Sequence, residues 1–273
     1  MPEILWIFPL YSFLGWCLEV IYAAVKTGKF VNRGFLNGGL CPIYGVGAVV
    51  LIPLLQPISY SLPLLFLGAV VIASLLELVG GFLLKQLFHI SWWDYSERRF
   101  NVGGYICLHF SLIWGIFGVI LVRVIQPPLA YLASHVPLPL LTVILVLFYV
   151  YFVIDVTITV LSVRNLNRDL QEITRLAHLI RKSGDVLAEG LTLPTLQAAE
   201  RIRALELPEK ARAGRERLQA RLEDFERLNA LLAKRSATRD RLLRAFPNMK
   251  NLRHNAALSE LRRRIRERMD RWK

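Results

Sequence analysis

The sequence predicts an all-α polytopic membrane protein, with five transmembrane helices followed by a soluble, coiled-coil-like helical C-terminal region. Three observations carry that expectation. The 273 residues are 54% hydrophobic and yet bear a formal net charge of +13. Up to Val163 there are only 7 of the 34 Lys and Arg and 6 of the 21 Asp and Glu, leaving 27 and 15 beyond it. Apolar runs long enough to cross a bilayer recur before that boundary, and heptad-spaced apolar positions follow it. The chain therefore divides into a membrane part, residues 1–163, and a basic helical bundle or coiled-coil hairpin, residues 164–273, expected on the cytoplasmic side.

The first run, Ile4–Val25, would make a helix of ~33 Å, enough for a ~30 Å hydrocarbon core. A cleaved signal peptide would carry its positive charge before the run. Here Met-Pro-Glu precedes it, and the basic residues follow. The other expected spans are 40–58, 62–88, 105–125 and 138–163, with Pro53, Pro57 and Pro63 around a short turn between the second and third.

Orientation follows from the connectors. The first holds Lys26, Lys29 and Arg33, and the third holds Lys85, Arg98 and Arg99, whereas the second, Gln56–Ser61, has no charge. The fourth, Gln126–Pro137, has only His135, with Arg123 near its edge, and the tail opens with Arg164 and Arg168. Basic connectors stay in the cytoplasm. Five spans with the N-terminus outside and the C-terminal region inside satisfy every assignment.

Two polar connectors stand out as site candidates. Residues 26–44, KTGKFVNRGFLNGGLCPIY, carry three basic residues without an acid, and Gly34, Gly38 and Gly39 are expected to supply positive φ. Residues 92–109, WWDYSERRFNVGGYICLH, repeat the theme of aromatics, basic residues, paired glycines and a cysteine entering an apolar run. Such composition suits a re-entrant or interfacial segment. Glu19, Glu77 and Asp155 lie in the cytoplasmic half of their spans, where an ionised carboxylate must face protein or water. The candidate polar site comprises Glu19, Arg33, Asn37, Cys41, Tyr44, Glu77, Trp92, Asp94, Tyr95, Arg98, Asn101 and His109. Helix–helix glue is the structural alternative for each carboxylate, and interfacial anchoring the alternative for Trp92 and Trp93. Gly45, Gly47, Gly80, Gly81, Gly115 and Gly118 allow close helix approach.

Beyond Asn165, Leu166, Leu170, Ile173, Ala177 and Ile180 follow a 4-3-4-3 spacing. Gly184, Gly190 and Pro194 are expected to end that helix. A second piece runs through Leu196, Ala199, Ile202 and Leu205, and a third holds Leu218, Leu222, Phe225 and Leu232 and ends before Pro247. The last piece carries Leu258, Leu261, Ile265 and Met269. Such stripes must bury against one another. Arg interspersed with Glu, without a reading motif, points to an anionic leaflet or a protein partner and away from nucleic acid.

Cys17, Cys41 and Cys107 lack the spacing of a zinc site or a disulfide framework, and no metal or cofactor is expected. Nucleophile-elbow and zinc-protease patterns are absent as well, and His109 alone reads as a packed or capping histidine. No catalytic residue is assigned.

The blocks GKFVNRGFLNGGLCPIYGVGA, WWDYSERRFNVGGYICLHFSLIWG and RAFPNMKNLRHNAALSEL resemble the bacterial ABC-transporter type IV permease family, CmpB-like, over essentially the whole chain. Arg33, Gly34, Cys41, Pro42, Tyr44, Gly45, Trp92, Asp94, Tyr95 and Asn101 match its blocks. The resemblance implies a bacterial inner-membrane protein and a transport role, with no catalytic residues to carry over. The chain lacks a Walker A pattern and an EAA-type docking loop, so an ATPase would be a separate subunit. Five spans suit a homo-oligomer or a mixed assembly. The expectation is a permease-like component in contact with membrane lipids. A membrane-anchored scaffold ranks second, and an enzyme acting on a lipid-linked substrate ranks third.

Overall fold

The computed structural model describes residues 2–191, 207–234 and 236–270, and these are mostly helical. In order they form α1 (Pro2–Thr27), α2 (Pro42–Leu55) with a 3-10 turn at Gln56–Ile58, α3 (Leu62–Phe88), α4 (Leu108–Ile120), a π turn (Leu121–Ile125) and α5 (Gln126–Ser134). There follow α6 (Leu138–Leu191), α7 (Leu207–Ala233), α8 (Ala237–Ala245) and α9 (Asn255–Asp270). Among the described residues, four stretches are long and apolar enough to cross a membrane: Leu5–Thr27, Leu62–Phe88, Leu108–Ser134 and part of Leu138–Arg181. The stretch expected as the second span forms the shorter apolar helix Pro42–Ile58.

All-helical was the expectation, yet the described residues include four two-residue strands: β1 (Ile90–Ser91), β2 (Asn101–Val102), β3 (Ile106–Cys107) and β4 (Lys250–Asn251). β2 pairs antiparallel with β3, and β1 pairs antiparallel with β4 in the register Ile90↔Asn251. The first is a local hairpin around Gly103 and Gly104, whose φ values of +60° and +75° favour residues without a Cβ. The second joins segments far apart in sequence, which local patterning cannot reveal.

The described residues fall into two compact units. One comprises residues 1–164 and 237–253, the other 165–236 and 254–273. The first unit therefore includes a piece of the tail that the sequence had assigned wholly to the helical region beyond 163.

Within the first unit, α1 and α3 each carry a connector that folds back along them. The Cys41 amide bonds the Ser12 carbonyl, 15 residues before the end of α1, a return of ~22 Å at the helical rise. On the other pair, Tyr95 Oη of the connector donates to Glu77 Oε1 at 3.2 Å, 11 residues before the end of α3, or ~17 Å. Each returning connector ends on an extended, buried cysteine at the N-cap of the next helix, Cys41 for α2 and Cys107 for α4. The glycines permit this approach. A Cβ on Gly15 would collide with the Tyr44 ring, and one on Gly118 would collide with Ala69.

Two apolar clusters hold this unit: Trp6, Ile7, Tyr11, Ala48 and Ile52, and Leu51, Leu55, Leu65, Ala69 and Val122. The fourth predicted span ends at 125, but the helix continues through the π turn to Ser134. Pro127 and Pro128 supply no N–H, and the looser turn before them absorbs that loss.

In the second unit, Leu166, Leu170, Ile173 and Leu176 are buried. Leu176 takes the position expected of Ala177, which is exposed. Gly184 and Gly190 do not end the helix, because α6 runs to Leu191. A single glycine costs only ~1 kcal/mol in a helix interior, too little to break one of 54 residues. The expected third piece is split by residues 234–236 into α7 and α8. On α7, Leu232 is buried but Leu222 and Phe225 are 57% and 48% exposed, so their stripe is not core. Leu258, Leu261 and Ile265 of α9 are buried. Lys234 pairs with Asp169 at 3.1 Å, and the His254 imidazole meets the Thr174 hydroxyl at the same distance. The expected piece through Leu196 and Leu205 lies outside the described residues, as do the side chains of Leu218 and Met269.

Candidate functional site

Residues 34–38 of the first connector are gripped from two sides. The Asp155 carboxylate, on α6 and 4% exposed, accepts the Asn37 amide at 3.0 Å, the Gly38 amide at 2.7 Å and the Asn37 side-chain amide at 3.1 Å. Tyr151, one turn earlier, donates to it at 3.3 Å. From α8, the Arg241 guanidinium donates to the carbonyls of Gly34 at 2.6 Å and Phe35 at 3.0 Å. Anion meets N–H and cation meets C=O, so both charges are compensated by backbone dipoles. Gly34, Gly38 and Gly39 were expected to supply positive φ, but the positive values fall on Gly28, Gly103 and Gly104. Gly38 is required for close approach instead: a Cβ there would strike the Tyr151 hydroxyl and lie 3.0 Å from Asp155 Oδ2.

Glu19 sits one turn after Gly15 on the same face of α1, and the space at Gly15 lets the Tyr44 ring lie across the helix. Tyr44 Oη then donates to Glu19 Oε1 at 2.7 Å. Arg33 Nε lies 3.3 Å from Glu19 Oε2, and its guanidinium stands 5.3 Å from the Tyr22 ring. Trp16 Nε1 donates to Asn32 Oδ1 at 2.8 Å, and Asn32 Nδ2 donates to the Asn37 carbonyl at 2.9 Å, which fixes the loop that carries Arg33.

Glu77 is the counterpart on α3. Tyr95 of the second connector donates to its Oε1 at 3.2 Å. Its other oxygen is buried without a hydrogen-bond partner, and the residue is only 9% exposed. Trp114 lies beside the carboxyl, and its ring meets that of Tyr44 at 5.8 Å. Tyr95 also stacks on Phe110 at 4.8 Å. Burial pushes the Tyr95 phenol well above its ordinary pKa, so it remains a donor. An ionised carboxylate at a helix centre costs at least ~2.5–3.5 kcal/mol, so the three intramembrane acids differ in how far that cost is met. Asp155 has several donors and Glu19 has a cation and a phenol. Glu77 has a phenol and the neighbouring Trp114 indole, with no ion pair among the described residues.

The outer part of the second connector is joined by the tail segment of the same unit. Trp92 is buried, with its ring 5.2 Å from Phe35 and 4.9 Å from Phe246. Asp94 accepts Lys250 Nζ at 2.7 Å as well as the Ser96 amide and hydroxyl. The Lys250 ammonium foremost, with Ser96, holds the Asp94 carboxyl down at about 2. Asn101 shapes the turn, donating to the carbonyls of Ser96 and Arg98 and accepting the Gly104 amide.

The structure thus brings Glu19, Arg33, Cys41 and Tyr44 together, sets Glu77 and Tyr95 beside them across Trp114, and places Asn37 on Asp155. It does not bring Arg98 or His109 to that cluster. Both side chains are exposed, and His109 only meets Phe110 edge-on at 5.3 Å. The Asn37 side-chain amide also reaches Thr159 Oγ1 at 3.1 Å, and sequence reasoning missed Trp114, Tyr151, Thr159, Arg241 and Lys250 as participants. Of these, Trp114 lies in the block WWDYSERRFNVGGYICLHFSLIWG and Lys250 in RAFPNMKNLRHNAALSEL, whereas Tyr151, Thr159 and Arg241 fall outside the quoted blocks. Among the described residues, no cluster of His, Cys, Asp and Glu could hold a metal ion.

A family model described as "Putative ABC-transporter type IV" matches residues 6–160, a stretch that contains both connectors and all three intramembrane acids. No curated protein and no solved structure matches the chain.

Proposed function

Because the chain belongs to this ABC-transporter type IV family, whose match covers more than half of it, we propose that it is a permease-like transport or translocation component of the bacterial inner membrane with a polar site facing the cytoplasm. The observation that carries this reading is the pair of re-entrant connectors: the first returns ~22 Å along α1, leading into α2 whose Tyr44 meets the half-buried Glu19, and the second returns ~17 Å along α3, where its Tyr95 meets the buried Glu77. Polar, non-helical backbone at such depth is tolerated only where protein or a water-lined path surrounds it.

The same re-entry supplies the fifth crossing. The 17 residues of Pro42–Ile58 reach only ~25 Å, but the extended connector before them completes the passage. Five crossings put the N-terminus outside and the basic connectors and C-terminal region inside. The energy source in this reading is a separate ATPase subunit, and the assembly is completed by a second copy or another permease chain.

Mass spectrometry of gently solubilised full-length protein tests the reading. A stoichiometric ATPase is the expected companion. A different stoichiometric cytosolic protein, bound through the tail with no ATPase, would replace transport by the scaffold role, and a chemically altered lipid would replace it by the enzymatic one.

A further inference from the structure

The two helix–connector–helix arrangements differ in one chemical respect. In the first, Glu19 has both a phenol, Tyr44, and a guanidinium, Arg33. In the second, Glu77 has the phenol of Tyr95 at 3.2 Å and nothing that replaces Arg33. The cations nearest to it in sequence are engaged or distant. Lys85, two turns further along α3, stands 4.9 Å from the Tyr105 ring, and Arg98 is exposed on the connector. From α4, Ser111 and Trp114 occupy the face towards α3, and Ser111 is bonded to Ser74. Cys107 begins that helix as a buried thiol, and α2 contributes Tyr44 through its contact with Trp114. Among the described residues the other acid near it is Glu19, already paired with Arg33. Glu77 Oε2 is buried with no partner.

We propose that Glu77 is a proton-binding site of the membrane region, neutral in the arrangement seen here and gated by Tyr95. This deepens the transport reading and rests on it for its purpose: the bound species is a proton, and the re-entrant connector controls its exchange with the cytoplasm. The proton resides on Oε2 while Oε1 accepts the Tyr95 hydroxyl. When the connector carrying Tyr95 withdraws, water reaches the carboxyl and accepts the proton, leaving a hydrated carboxylate. Reprotonation from water and return of Tyr95 restore the neutral form. Asp155 accepts backbone amides and Glu19 faces Arg33, contacts that Glu77 lacks.

Infrared difference spectroscopy of the full chain in lipid nanodiscs, stepped in pH around neutrality, reads this directly. The wild-type protein should show the carbonyl stretch of a protonated carboxyl group, and Glu77→Gln should lose it. Tyr95→Phe should retain the band but move it to higher frequency, since the carbonyl loses its hydrogen bond, and should speed its shift on transfer to deuterated water. The Tyr95 variant keeps the test decisive if Glu77→Gln does not fold. No protonated-carboxyl band in the wild type, or a band untouched by either substitution, overturns the proposal. Because the band is read without a substrate or an ATPase, its absence is distinguishable from failure of the transport reading.

Discussion

The Asp155 carboxylate accepts the Gly38 amide at 2.7 Å, and these two residues, 117 positions apart, fix the depth of the first connector. The carboxylate is on the last membrane helix and the amide on the first loop. Asp155→Ala would leave the Gly38 and Asn37 amides without an acceptor, costing ~1–3 kcal/mol each. The thermal midpoint of the purified protein in detergent should fall clearly, and Asp155→Asn, which keeps one acceptor oxygen, should fall less. Gly38→Ala should also destabilise by displacing Tyr151. Gly47→Ala, with nothing within 4 Å of the new Cβ, should leave the midpoint unchanged.

Arg241 grips the other side of the same loop through two carbonyls. A planar fork satisfies both, and a lysine ammonium does not match that geometry. Arg241→Lys should therefore lose most of what Arg241→Ala loses, ~1.5–3 kcal/mol per charged hydrogen bond. Limited proteolysis between residues 237 and 253 checks this, with faster cleavage expected in both variants.

Four membrane-length helices and the polarity of both connectors were legible because apolar length and basic residues are local signals. The depth of re-entry was not. It depends on Asp155, Arg241 and Gly15, each distant in sequence from what it holds. The same reason hid the β1–β4 pair, in which Ile90 meets Asn251. The carboxylates Glu19 and Glu77 were legible as anomalies within apolar runs, but which of them has a counter-charge is a question of packing. Leu222 and Phe225 mark another limit: spacing identifies a stripe on a helix and not whether something covers it.

The Asp94–Lys250 pair gives a pH window. The Asp94 carboxyl is held at about 2, below its ordinary value of ~3.9, so its contribution is present above pH ~4 and disappears as pH falls towards 2. Lys250 is raised by the same partner, so its contribution is present at neutral pH and is lost only as pH rises through that raised value. The midpoint difference between wild type and Lys250→Ala should be constant from pH 5 to 8, by ~0 change within error, and should shrink below pH ~4. The pair is exposed, so the difference should also shrink at high salt.

Helix α4 packs on α3 through glycines. A Cβ on Gly115 would meet Val70 and Phe66, and one on Gly118 would meet Ala69. Gly115→Val should cost ~1–3 kcal/mol through overpacking, and Gly118→Val should do likewise. Detergent thermal melts should show both losses, partly restored in Gly115→Val by a compensating Phe66→Ala.

In the proposed orientation the two connectors open to the cytoplasm. Single cysteines at Tyr60 and Glu97, both exposed, in a background lacking Cys17, Cys41 and Cys107, test it with a membrane-impermeant thiol reagent on intact cells. Tyr60→Cys should label from outside, and Glu97→Cys should label only after the membrane is permeabilised. Labelling of Glu97→Cys from outside intact cells would contradict the orientation and, with it, the cytoplasm-facing site.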